Sequence, residues 1–95
     1  MNQLGKIGKI NQKANKKILV MFEEHNINRC EIQLPGCQNY ILQRVHRHKR
    51  HWYRSCPELL WDYKQVVCGC HYCHEIIERD PELTEKIFLR IRGEE

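Results

Sequence analysis

Four cysteines in two pairs are the first residues here whose spacing could do chemistry. Cys30 and Cys37 bracket the loop Cys-Glu-Ile-Gln-Leu-Pro-Gly-Cys, and Cys70 and Cys73 close a Cys-x2-Cys turn. Zinc prefers four ligands in a tetrahedron, and thiolates from two turns far apart in sequence can supply them. Cys70-x2-Cys73 has the spacing of a metal knuckle. The Cys30–Cys37 gap is wider, and the Pro35-Gly36 turn inside it could fold the chain back to close it. Cys56 and Cys68 are left over and read as small, partly buried apolar residues, with Cys68 an alternative to Cys70 as ligand. Disulfides are the competing use of six cysteines, as in small secreted domains. The basic start, however, is not followed by the apolar stretch and small-residue cleavage site of an export signal. A structural zinc is therefore the better reading.

Histidines supply the second constellation. His46, His48 and His51 lie within Val-His-Arg-His-Lys-Arg-His-Trp-Tyr, and His74 directly follows Cys73. A histidine just after a zinc knuckle starts a helix from a rigid anchor, and one at the end of a strand can face the same space. Such a pair suits metal-assisted phosphodiester hydrolysis. One neutral imidazole takes a proton from water while another holds a divalent cation beside the phosphate.

The elements that must position these groups follow from periodicity and turn residues. Residues 1–10, with two glycines and no acid, read as a flexible basic arm, and 11–95 as a single domain. From about Asn11 to His25 the pattern is helical, with Ile18, Leu19 and Phe22 on one face and Lys13, Lys16 and Lys17 on the other. Asn39–His46 reads as a strand, Pro57–Tyr63 as a helical turn, Gln65–Cys68 as a second strand and Cys70–Cys73 as a tight turn. His74 to Arg79 begins a helix. Asp80-Pro81-Glu82 caps another that runs to about Arg92 on a stripe of Leu83, Ile87 and Ile91. The strongest apolar run, Ile18 to Phe22, is far too short to span a bilayer. A soluble, intracellular protein with no membrane partner is expected.

Charge is placed unevenly. Residues 1–54 hold 11 basic against 3 acidic side chains, and residues 55–95 hold 5 against 9. The net +4 thus hides a half at +8, as a polyphosphate partner would select. Arg44, Arg47, Lys49, Arg50 and Arg54 surround the histidines and are the expected DNA-phosphate contacts, which give affinity without sequence specificity. Trp52, Tyr53 and Trp61 are expected to pack in the core or in turns rather than stack on bases.

Over residues 30–79 the chain resembles the HNH nuclease family, in particular its small zinc-bearing members from bacteria and bacterial viruses. Cys30 and Cys37, the Val-His-Arg-His-Lys-Arg segment at 45–50 and the stretch from Gln65 to His74 carry the resemblance. It implies an α+β, ββα-metal fold with flanking helices, and a cytoplasmic, phage-encoded protein of a bacterial cell. His46 would be the general base and His74 a ligand of a catalytic Mg²⁺, Mn²⁺, Ni²⁺ or Zn²⁺. The four cysteines would hold a separate structural Zn²⁺. Two positions depart from the family pattern. Val45 stands where a second metal ligand precedes the base, and Gln65 stands where an asparagine orients the histidine loop. His48 is placed to compensate, as cation ligand or as the base itself. Three functions follow: a DNA endonuclease or nickase of low sequence specificity, a cleavage-deficient DNA- or protein-binding module on the same fold, and a structural zinc domain that docks on a larger protein through its acidic C-terminal helix.

Overall fold

The computed structural model describes residues 6–95, with side chains from Gln12 onward. The elements run α1 (Lys6–Glu24), β1 (Leu42–His46), β2 (Val66–Cys70), α2 (His71–Glu78) and α3 (Pro81–Arg92). Three short 3-10 turns, at Arg50–Tyr53, Pro57–Trp61 and Tyr63–Gln65, link the strands. Among the described residues this is an α+β arrangement of three helices and one two-stranded antiparallel sheet. None of these helices is long and apolar enough to cross a membrane.

α1 begins at Lys6, so the expected arm of residues 1–10 is helical over its second half; residues 1–5 lie outside the described chain. One glycine inside a helix costs about 1 kcal/mol, too little for Gly8 to break it. Ala14, Ile18, Met21 and Phe22 are buried, while Leu19 is 54% exposed, against the expectation for it. Helical spacing of 4, 3 and 1 puts the first four on one stripe, and Leu19 lies about 100° around from Ile18.

β1 starts at Leu42, three residues later than expected, because Asn39 and Ile41 take left-handed φ of 48° and 54°. It pairs with β2 so that Gln43 faces Gly69, Val45 faces Val67 and His46 faces Val66. β2 is buried throughout. Val66 and Cys68 pack against Ile18, Met21 and Phe22 of α1. Val67 joins Ile32, Val45, Ile77, Ile87 and Phe88 on the other side, around the cysteines.

β2 leads directly into α2, which starts at His71 rather than His74. Cys70 Sγ accepts from the Cys73 N–H at 3.4 Å, so a cysteine thiol serves as the helix cap. Asp80 caps α3 through Leu83 N at 3.1 Å, with Pro81 in the first turn, as expected. Ile87 and Phe88 form the buried part of α3, and Leu83 and Ile91 flank them, half-buried. Arg92 ends the helix inside the protein. Its guanidinium donates to both Glu31 carboxylate oxygens at 2.7 and 2.8 Å, to Val66 O and to Tyr63 O.

Candidate metal centre and histidine cleft

The four cysteines named from spacing converge: one sulfur from each of Cys30, Cys37, Cys70 and Cys73 lies within 4.8 Å of the others. Cys30 N donates to Asn39 Oδ1 at 2.7 Å, and Cys37 N to Leu34 O at 2.8 Å. Between them Gly36 turns at a φ of 90°, and a Cβ there would meet the Tyr72 hydroxyl at 2.6 Å. Only glycine fits both demands. The four sulfurs suit a tetrahedral metal ion, and the surroundings favour thiolate at Cys70 alone. Burial pushes the Cys70 thiol up, but the amides of Cys73, Gln38 and Asn39 aimed at its sulfur outweigh that and bring it to about 6. Burial pushes Cys37 and Cys73 up in turn. A divalent cation supplies the positive charge that four such groups need before all can ionise. These residues could therefore hold a structural metal. All six cysteines are free thiols. Cys68 is buried on the α1 side of β2, outside the cluster, which removes it as a ligand; Cys56 is exposed rather than partly buried.

A cleft of about 800 Å³ opens between the segment Arg44–Arg50 and the facing sides of α2 and α3. His46 and His74 both line it. The His46 Nε2 lies 2.8 Å from Leu60 O. A carbonyl only accepts, so Nε2 carries the proton and Nδ1 is left as an acceptor. Burial lowers the His46 pKa; the Leu60 carbonyl opposes this, and the charges of Arg50, Arg44 and His74 add to it. On α2, His74 Nδ1 lies 2.7 Å from Gln43 Oε1.

His48 lines the same cleft as that pair, with its ring otherwise engaged. Its Nε2 is bonded to the Glu95 carboxylate, and its ring stacks on Trp52 with centroids 4.0 Å apart. Trp52 is exposed and packs within its turn, against His48 and edge-on to Tyr53, whereas Tyr53 is buried in the core. Arg44, Lys49, Arg50 and Arg54 are exposed. Arg47 turns inward: its side chain is 5% exposed, lies over the Phe88 ring, and reaches Glu95 Oε1 at 3.3 Å and Lys64 O at 3.3 Å. Glu95 is held below the usual carboxylate range. Its slight burial works the other way, but the hydrogen bonds from His48 and Gln65 and the nearby charges of His48 and Arg47 prevail.

Gln65 is buried and ties down the histidine segment from two sides. Its carbonyl accepts from Arg47 N at 2.8 Å, and its side-chain Oε1 accepts from the Tyr53 hydroxyl at 2.9 Å. That hydroxyl in turn accepts from His48 N at 3.1 Å. Burial pushes Tyr53 up to about 12, so it stays protonated and able to donate.

The residues that spacing did not reveal are mostly partners of the named ones: Gln43, Tyr53, Glu95 and the Leu60 carbonyl. His71 and Glu75, one helical turn apart, were the one readable signal among them; their side chains lie 3.1 Å apart. Comparison with family models, with curated proteins and with solved structures finds no match to this chain.

Proposed function

We propose that this protein is a metal-dependent DNA endonuclease or nickase of the HNH type, with His46 as general base and His74 as ligand of the catalytic cation. The observation that carries the reading is two imidazoles on one cleft, His46 bonded through Nε2 and His74 through Nδ1, each with its other nitrogen left as an acceptor. His46 offers Nδ1 and His74 offers Nε2. The lowered pKa keeps His46 neutral at physiological pH, so Nδ1 can take a proton from water, a step that contributes roughly 10²–10⁴-fold. A divalent cation at His74 would supply charge stabilisation of the departing oxygen. Hard cations keep several waters and need one or two protein ligands beside the phosphate. Among the described residues the four cysteines are the only cluster of three or more candidate ligands. His74 would thus hold the cation chiefly with solvent and substrate, and His48 is already bonded to the Glu95 carboxylate. Arg44, Lys49, Arg50 and Arg54 are exposed and basic, so they can bind backbone phosphates without reading bases.

A plasmid-nicking assay with purified, zinc-loaded protein tests the reading, with Mg²⁺, Mn²⁺ or Ni²⁺ added and with His46→Ala and His74→Ala alongside. The expected result is cation-dependent nicking lost in both variants. A specific observation favours a second reading, the binding module. Val45, at the position of the family's second ligand, is buried among Ile32, Val67 and Phe88 and could not ligate a cation. Salt-sensitive DNA binding with no nicking under any cation would select that reading.

A further inference from the structure

We infer that Gln43 is the positioning residue of His74, the middle link of a relay Glu75–His71–Gln43–His74 that fixes which imidazole nitrogen His74 presents. The inference rests on His74 as a cation ligand, the role given to it above.

The relay is determined from its charged end. The His71 Nε2 lies 3.1 Å from the Glu75 carboxylate, one turn on along α2. A carboxylate only accepts, so His71 carries its proton on Nε2 and, when neutral, leaves Nδ1 as an acceptor. The Gln43 Nε2 lies 3.3 Å from that Nδ1 and donates to it. This sets the direction of the Gln43 amide, whose Oε1 then accepts from His74 Nδ1 at 2.7 Å. His74 is thereby held as the Nδ1–H tautomer with Nε2 free to ligate. A ligating histidine commonly has its other nitrogen held by a carbonyl or carboxylate, which fixes ring and tautomer.

The fold leaves room for the link. Gln43 faces Gly69 across the sheet, so no side chain stands opposite it, and it shares its strand face with Val45, which belongs to the same buried core as Ile77 of α2. A Cβ at position 69 would meet Ile32 and Val45 at 2.6 and 3.0 Å. Any larger residue under the strand that carries Gln43 would make those side-chain ends shift.

The test is the tautomeric state of each histidine, read from imidazole ¹⁵N shifts of the zinc-loaded full chain at neutral pH, followed by Mn²⁺ titration monitored by line broadening. His74 is expected as the Nδ1–H form, and His71 and His46 as Nε2–H forms. Gln43→Leu should mix the His74 tautomers and weaken Mn²⁺ broadening there by about 10–100-fold in affinity. Gln43→Glu keeps an acceptor for His74 Nδ1 and should retain both properties. His71→Ala alters an exposed side chain and should mix the tautomers without disturbing the zinc centre. An Nε2–H His74 in the unaltered chain would overturn the relay. So would a Gln43→Leu variant with tautomer and Mn²⁺ affinity unchanged. Absence of Mn²⁺ broadening at His74 in the unaltered chain would overturn its ligand role. The expected tautomers with Mn²⁺ bound, but no nicking, would leave the relay standing and overturn the nuclease reading alone.

Discussion

Replacing Arg92 by methionine should be the most damaging single change outside the cysteine centre. The side chain is 1% exposed and is bonded to both oxygens of Glu31, itself 17% exposed, at 2.7 and 2.8 Å. It also satisfies the carbonyls of Tyr63 and Val66 at 2.8 and 3.1 Å, and its guanidinium lies 4.0 Å from the Tyr63 ring centroid. Methionine keeps the stem and loses all of this. Glu31 would retain the Cys68 N–H as a donor, and two carbonyls would be orphaned. Breaking a buried pair from one side costs about 3–5 kcal/mol, because a charge is left without compensation. That is a large part of the roughly 5–15 kcal/mol available to a domain. At about 4–8 °C per kcal/mol for this chain length, melting should fall by roughly 12 °C or more. Urea denaturation of zinc-loaded protein reads the effect directly. The double variant Arg92→Met/Glu31→Met should recover about 1–3 kcal/mol relative to the sum of the singles, since both charges leave together. A loss below about 1 kcal/mol for Arg92→Met, or strict additivity in the cycle, would refute the argument that this pair clamps α3 to the cysteine loop and β2.

Other outcomes follow from the same geometry. Zinc removal by chelator, or Cys70→Ser, should abolish cooperative unfolding, because a tetrathiolate ion contributes roughly 10–16 kcal/mol, as much as the whole domain's net stability. A sharp melting transition that survives metal-free dialysis would contradict this. His46 has a lowered pKa from burial, so below the ordinary histidine value the unfolded chain takes up a proton that the folded chain resists. Its contribution is fully present above about pH 6.5 and is lost as pH falls through the lowered folded value, so stability relative to His46→Gln should decline as pH falls below about 6.5. Cleavage should fall along the same acidic limb, and a flat profile from about pH 5 to 8 would remove His46 as the base. Gly69→Ala should cost about 1–3 kcal/mol in denaturant unfolding, because the new methyl meets Ile32 and Val45 at 2.6 and 3.0 Å.

The cysteine cluster is legible in the residue order because its information is local. A Cys-x2-Cys turn and a cysteine loop around Pro35-Gly36 each present two thiols, and the ion's tetrahedral preference pairs the two turns. The same holds for the Asp80-Pro81 start of α3, whose cap and proline act within one helical turn. Register and long-range partners are another matter. Nothing local places Gln43 against Gly69, Glu31 against Arg92 or Glu95 on His48, because these residues are 26, 61 and 47 positions apart. The Leu19 expectation failed for the same reason: which of several apolar residues on α1 is covered depends on where β2 lies. Residue type and spacing named His46 and His74. Which nitrogen each one offers depends on Leu60 and Gln43, and only folding brings those oxygens to the rings, because a tautomer is set by the partner its other nitrogen meets.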